Sequence, residues 1–124
     1  MKLNLLLADD DITTVNHLQE IIERELAGQF SIFTASDGLM ALKRLKETKM
    51  HIIISDIRMP DMRGDEFLHA VKSDERFRHI RMVMLSSEDS TSERIQLLQD
   101  GAEDYIVKPF NPMELKVRIE KFLK

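Results

Sequence analysis

The 124-residue chain has no cysteine and no tryptophan, and only three prolines and four glycines. Without cysteine there is no disulfide, no zinc–thiolate site and no cysteine nucleophile, which fits a reducing cytoplasm. So little proline and glycine leaves no linker or low-complexity tract to divide the chain. No apolar run approaches the roughly 20 residues of a membrane span. The run after Met1-Lys2 stops at three aspartates, too short for a signal peptide, so a cytoplasmic location is expected. Basic charge is also scarce. Eighteen Lys and Arg face 22 Asp and Glu, for a net charge of −4, and no local basic cluster compensates. That argues against direct contact with nucleic acid, as the missing span argues against a membrane. What remains, 43% hydrophobic and 32% charged residues, is the make-up of one globular domain over residues 1–124.

Short apolar runs alternate with segments of helical period. The strand candidates are Leu3–Ala8, Phe30–Ala35, His51–Ser55, Met82–Ser86 and Tyr105–Val107. The first, third and fourth are nearly continuous apolar, as in strands covered on both faces. Five helical stripes intervene or follow: Ile12, Val15, Leu18, Ile22 and Leu26; Leu39, Leu42 and Leu45; Phe67, Leu68 and Val71; Ile95 and Leu98; Leu115, Ile119 and Phe122. Ser90 with Glu93 reads as a capping box, closed by Gly101. Asn111, Pro112 and Glu114 open the last helix, and Gly28 can end the first. Five βα units predict an α/β fold with a doubly wound, five-stranded parallel sheet, (βα)5. The order 2-1-3-4-5 is taken from known flavodoxin-like sheets rather than deduced from these residues. In that order strands one and three flank the point where the winding reverses, and ligands bind beyond the carboxyl ends there.

Polar residues of one chemical kind end four of the strands. Asp9-Asp10-Asp11 follow the first, Asp56 the third, Ser86-Ser87 the fourth and Lys108-Pro109 the fifth. Each has a simpler reading. Carboxylates and serines cap helices, lysines are usually solvated, and an X-Pro bond can be cis in a tight turn. Capping accounts for one aspartate, assigned here to Asp11. Three are too many for that, since paired carboxylates in a cleft repel by roughly a few kcal/mol at an effective dielectric of about 20. A divalent cation relieves that repulsion. Hard oxygens in small number suit Mg²⁺ that keeps its waters and a phosphate oxygen. Lys108 is the natural counter-charge and a point charge for phosphate.

These motifs, with Asp56-Ile57-Arg58-Met59-Pro60-Asp61-Met62-Arg63-Gly64, Ser86-Ser87-Glu88 and Gly101 through Phe110, resemble the receiver domain of the CheY-like response regulator family over Leu3 to Leu123. The resemblance implies a two-component phosphorelay protein and not an enzyme beyond its own phosphorylation and dephosphorylation. It implies that Asp56 is the phosphoacceptor. Asp10 is then a direct Mg²⁺ ligand, Asp9 acts largely through water, and the Arg58 main-chain carbonyl joins Asp56 as a ligand; Mn²⁺ is an acceptable substitute. Lys108, the Ser86 hydroxyl and the Ser87 N–H would hold the phosphoryl oxygens. Ser86 and Tyr105 would be the switch pair, with Tyr105 turning inward on activation. Arg58 and Glu88 would tune turnover. The implied donor is a sensor histidine kinase or histidine phosphotransfer protein. The output face would be the last two helices and the strand between them, acting on a downstream protein or effector domain as a monomer or a phosphorylation-dependent dimer. Ser86 stands where the family more often has threonine, which keeps the hydroxyl, and Asp61 stands where it often has glycine.

Two other classes fit less well. Asp9-Asp10-Asp11-Ile12-Thr13 matches the Asp-x-Asp-x-Thr of haloacid-dehalogenase-like phosphatases, with Ser86 and Lys108 as later motifs. That family needs further acids after the lysine. Only Glu114 and Glu120 remain, in a predicted helix, and the length leaves no room for a cap domain. A flavodoxin-like cofactor binder would set three aspartates against its phosphate.

Overall fold

The computed structural model describes residues 2–123. Strands β1 (Leu3–Ala8), β2 (Phe30–Ala35), β3 (Ile52–Asp56), β4 (Arg81–Ser86) and β5 (Asp104–Val107) alternate with helices α1 (Ile12–Glu25), α2 (Gly38–Glu47), α3 (Gly64–Ser73), α4 (Thr91–Gln99) and α5 (Pro112–Glu120). A 3₁₀ turn, Lys121–Leu123, follows. The strands form one sheet in the order β2-β1-β3-β4-β5, parallel throughout. The expected fold is therefore the observed one, with strand ends shifted by a residue at β3, β4 and β5. Register brings Asp56 level with Leu85, so the third strand carries its aspartate inside the ladder.

Alternation along the strands builds two cores. Leu5, Leu7, Ile52, Ile54, Val83, Leu85 and Ile106 pack with Val15, Leu18, Ile21 and Ile22 of α1 and Leu115 and Ile119 of α5. Leu6, Ile53, Met82, Met84 and Tyr105 point the other way, onto Ala41 and Leu45 of α2, Phe67, Leu68 and Val71 of α3, and Leu97 of α4. Period-two side-chain placement thus gives each sheet face its own helices.

The helix ends agree with the sequence. Asp11 caps α1 by accepting from Thr13 N at 3.0 Å, and Asn111 caps α5 by accepting from Met113 N at 2.8 Å. Gly28 and Gly101 have φ of 78° and 111°, where other residues are strained. The apolar stripes are less accurate. Ile12, Leu39, Ile95 and Leu98 are exposed at 68%, 54%, 49% and 43%. In α4 the buried residue is Leu97, the neighbour of the expected pair. A helix at a sheet margin needs only a narrow contact stripe, and three-residue spacing cannot say which stripe faces inward.

Candidate functional site

The site lies at the carboxyl edge of the sheet, where β1, β3, β4 and β5 end together. Asp9 leaves β1 with its side chain almost wholly buried, and Asp56 ends β3 at 8% exposure. Asp10 is exposed beside them. One carboxylate oxygen from each of Asp9, Asp10 and Asp56 lies within 4.8 Å of the others. This trio could hold a metal ion, and its hard oxygens suit a small divalent cation that keeps several waters. Asp11 stays apart as the helix cap.

Lys108 reaches in from the end of β5. Its Nζ donates to Asp9 Oδ2 at 3.0 Å and to Asp56 Oδ1 at 3.1 Å. Residues 9 and 108 are thus joined across almost the whole chain. Burial pushes the Asp9 carboxyl up from its ordinary value, although the Asp11 N–H and Lys108 both oppose this. Burial would pull the Lys108 ammonium down, but bonds and charges from Asp9 and Asp56 outweigh it and hold it above its ordinary value. The Lys108-Pro109 bond is cis.

The loop after Asp56 is held tightly. Gly64 N donates to Ile57 O at 2.7 Å. A Cβ on Gly64 would lie 1.9 Å from the Asp56 carbonyl oxygen, so no larger residue fits without moving the main chain of Asp56. Asp61 has φ of 65°, in the left-handed region that glycine enters most freely.

Ser86 ends β4 fully buried. Its hydroxyl oxygen accepts from Glu88 N at 3.0 Å and donates to Glu93 Oε1 at 2.9 Å. Tyr105 is already inward, only 5% exposed. Its hydroxyl lies 2.7 Å from Glu88 O and 3.0 Å from Glu93 Oε1. In this structure Tyr105 thus stands in the inward position that the resemblance associates with activation. Burial raises its phenol above the ordinary value, and the Glu93 carboxylate adds to that. Arg58 and Glu88 pair across the rim at 3.2 Å, and Arg58 Nη2 also lies 3.6 Å from Glu93 Oε2. Ser87 is exposed and lines a shallow cavity with Thr13, Thr14, His17, Lys108 and Phe110.

Glu93 is the residue that sequence reading missed. Half of the expected capping box exists: Ser90 Oγ accepts from Glu93 N at 3.2 Å. The Glu93 carboxylate does not complete the box but turns to Ser86, Tyr105 and Arg58. The signal available beforehand was indirect: a buried Ser86 hydroxyl needs an acceptor, and the first turn of the next helix lies closest to it.

The acids a haloacid-dehalogenase-like phosphatase would need are absent from the cluster among the described residues. Glu114 instead faces Arg118 on its own helix at 3.6 Å.

Comparison with known proteins agrees with this geometry. Residues 5–120 match the response regulator receiver domain family. The chain is 34% identical over 115 residues to the chemotaxis protein CheY of Pseudomonas aeruginosa, covering 93% of this chain and 92% of that protein. It is 36% identical over 107 residues to histidine kinase P4 of Formosa agariphila, covering 86% of this chain but only 8% of the kinase. The chemotaxis response regulator CheY4 of Vibrio cholerae superposes with a TM-score of 0.88 at 29% identity, over 98% of this chain and 99% of that one. The sheet of order 2-1-3-4-5, with an acidic trio, a bridging lysine and a buried hydroxyl at four strand ends, therefore lies within a match that spans nearly the whole length: the chain belongs to the response regulator receiver domain family of two-component signalling.

Proposed function

We propose that residues 1–124 act as one phosphoacceptor unit in which Asp56 receives a phosphoryl group from a phosphohistidine. The observation that carries this reading is the Asp56 carboxylate itself. It stands at the end of a buried strand, between two further carboxylates and a lysine that bridges it to Asp9. An Asp56 oxygen forms the new bond to phosphorus as the P–N bond to the donor imidazole breaks. The electron pair stays on that nitrogen, which takes up a proton. Lys108 shifts part of its contact from Asp56 to the incoming phosphoryl oxygens, while Asp9 keeps it in place. Ser86 Oγ and the Ser87 N–H supply neutral donors. Asp9, Asp10, Asp56 and the Arg58 carbonyl would hold Mg²⁺ or Mn²⁺. When bound, the cation neutralises charge on a loose phosphoryl-transfer transition state.

The Arg58–Glu88 pair lies over the rim, where it hinders water from attacking in line. Both side chains are well exposed, so the pair is worth ~0–1 kcal/mol and the gate is weak. The donor would be a sensor histidine kinase or a phosphotransfer protein, in keeping with the receiver segment of the kinase relative. The output face would be α4, β5 and α5, where Ile95, Leu98, Met113 and Val117 are exposed. The protein would act in the cytoplasm, without enzymatic activity on other substrates. No helix among the described residues is long and apolar enough to cross a membrane.

Intact-mass analysis after acetyl phosphate and Mg²⁺ tests the assignment. One phosphoryl adduct is expected in wild type and none in Asp56→Asn. Equal yield in Asp56→Asn sinks it. Following decay of the adduct should show faster loss in Arg58→Ala and Glu88→Ala; slower loss in both would refute the gate.

A further inference from the structure

We propose that Glu93 is a positioning residue that withholds the Ser86 hydroxyl from the phosphoryl site, so that phosphorylation must displace Ser86 from Glu93 before the pocket can close. This rests on the receiver reading of Asp56 and adds to it a residue on a different element. The argument begins with proton supply. A serine hydroxyl has one proton to donate, and in this structure it goes to Glu93 Oε1 at 2.9 Å. The oxygen is meanwhile fixed from behind by Glu88 N at 3.0 Å, which orients the remaining O–H toward Glu93. Ser86 therefore cannot donate to a second anion without breaking this bond.

The acceptor is a strong one. Glu93 Oε1 also faces the Tyr105 hydroxyl at 3.0 Å, and Oε2 faces Arg58 at 3.6 Å. Bonds from hydroxyls to a carboxylate are charge-assisted and stronger than neutral ones. They form here in a half-buried setting, since the Glu93 side chain is 22% exposed. When Ser86 leaves, Glu93 keeps Arg58 and shares the Tyr105 hydroxyl with Glu88 O, which lies 2.7 Å from it, so its carboxylate is not stranded. The exchange is thus feasible, and its cost falls on the Ser86 bond alone. Glu93 also ties the hydroxyl to the aromatic ring. The same oxygen that gives up Ser86 is the one on Tyr105, so displacement reaches β5 through a single atom.

Beryllofluoride with Mg²⁺ is the probe, because it mimics a phosphoryl group on a carboxylate without turnover. Its affinity is measured by amide shifts in wild type, Glu93→Ala, Ser86→Ala and the double variant. Glu93→Ala is expected to bind about tenfold tighter, or about 1.4 kcal/mol, since no competing acceptor remains. The same change made in Ser86→Ala should do nothing, because the competition acts through that hydroxyl. Equal affinity in wild type and Glu93→Ala would overturn the inference. So would an equal gain in the Ser86→Ala background, which would mean simple charge repulsion. Should Glu93→Ala not fold, Glu93→Gln carries the same comparison with a smaller gain.

A spectroscopic readout comes from the composition. Tyr105 is the one tyrosine and there is no tryptophan, so intrinsic emission reports this ring alone. A phenol bound to a carboxylate is quenched, and Glu93→Gln is expected to brighten it. Unchanged emission overturns the Tyr105 contact and with it the coupling. Acetyl phosphate labelling of wild type is read in parallel. No adduct defeats the phosphoacceptor reading of Asp56, whereas an adduct without a Glu93 effect defeats this inference alone.

Discussion

Tyr105 shows what a single buried hydroxyl contributes. Its phenol is held above the ordinary value of 10.0, first by burial and then by the Glu93 carboxylate. The folded protein therefore keeps this proton to higher pH than the unfolded chain does. The linked stability is fully present below the unfolded value, about 10, and is lost as pH rises through the folded one. Urea unfolding at about pH 9 and about pH 11 should show a larger loss for wild type than for Tyr105→Phe, which has no proton to lose. Equal losses would mean that the phenol is not shielded as described. Residues such as Asp9, Asp56, Ser86 and Lys108 were legible in the sequence because each breaks an apolar run, and a strand end fixes where it emerges. Glu93 was not. Its position three residues after Ser90 has a sufficient local explanation in helix capping, and nothing local indicates that its carboxylate is used elsewhere.

At the scale of elements, α4 stands out. It buries one apolar side chain, Leu97, where α1 buries Val15, Leu18, Ile21 and Ile22. Helical stability in proteins comes mainly from packing an apolar face, so α4 has the least to hold it. Amide hydrogen exchange read by mass spectrometry should find residues 91–99 opening well below the global unfolding free energy, with α1 close to it. Equal protection of the two helices would contradict this ranking. The strands were the easiest elements to place, since burial on both faces leaves continuous apolar runs. The α4 stripe was misplaced for the opposite reason. Ile95 and Leu98 have core-like spacing but face solvent, and periodicity records an apolar face without saying what covers it. The helix that carries Glu93 is thus also the one most easily moved.

For the whole molecule, the pocket sets stability against function. Three carboxylates meet with Lys108 shared between two of them, while Asp10 has no ion-pair partner among the described residues. A cation that binds only the folded pocket stabilises by mass action, by about 2.7 kcal/mol at a hundredfold excess over its dissociation constant. Urea unfolding with and without Mg²⁺ at matched ionic strength should show that gain in wild type and a much smaller one in Asp10→Asn. No gain in wild type would make the cluster a feature of the fold alone. Asp10 is a cleaner choice than Asp56, whose replacement also removes half of the Lys108 bridge. The same bridge has a consequence for how the protein comes to exist. Synthesis runs from the amino end, and Asp9, Asp10 and Asp56 all leave the ribosome long before Lys108. Until then the nascent chain carries the three aspartates with no lysine to bridge them and no β5 to complete the sheet. The bridge is therefore the last part of the pocket to be made, and a chain ending before residue 108 would lack both it and the edge strand β5.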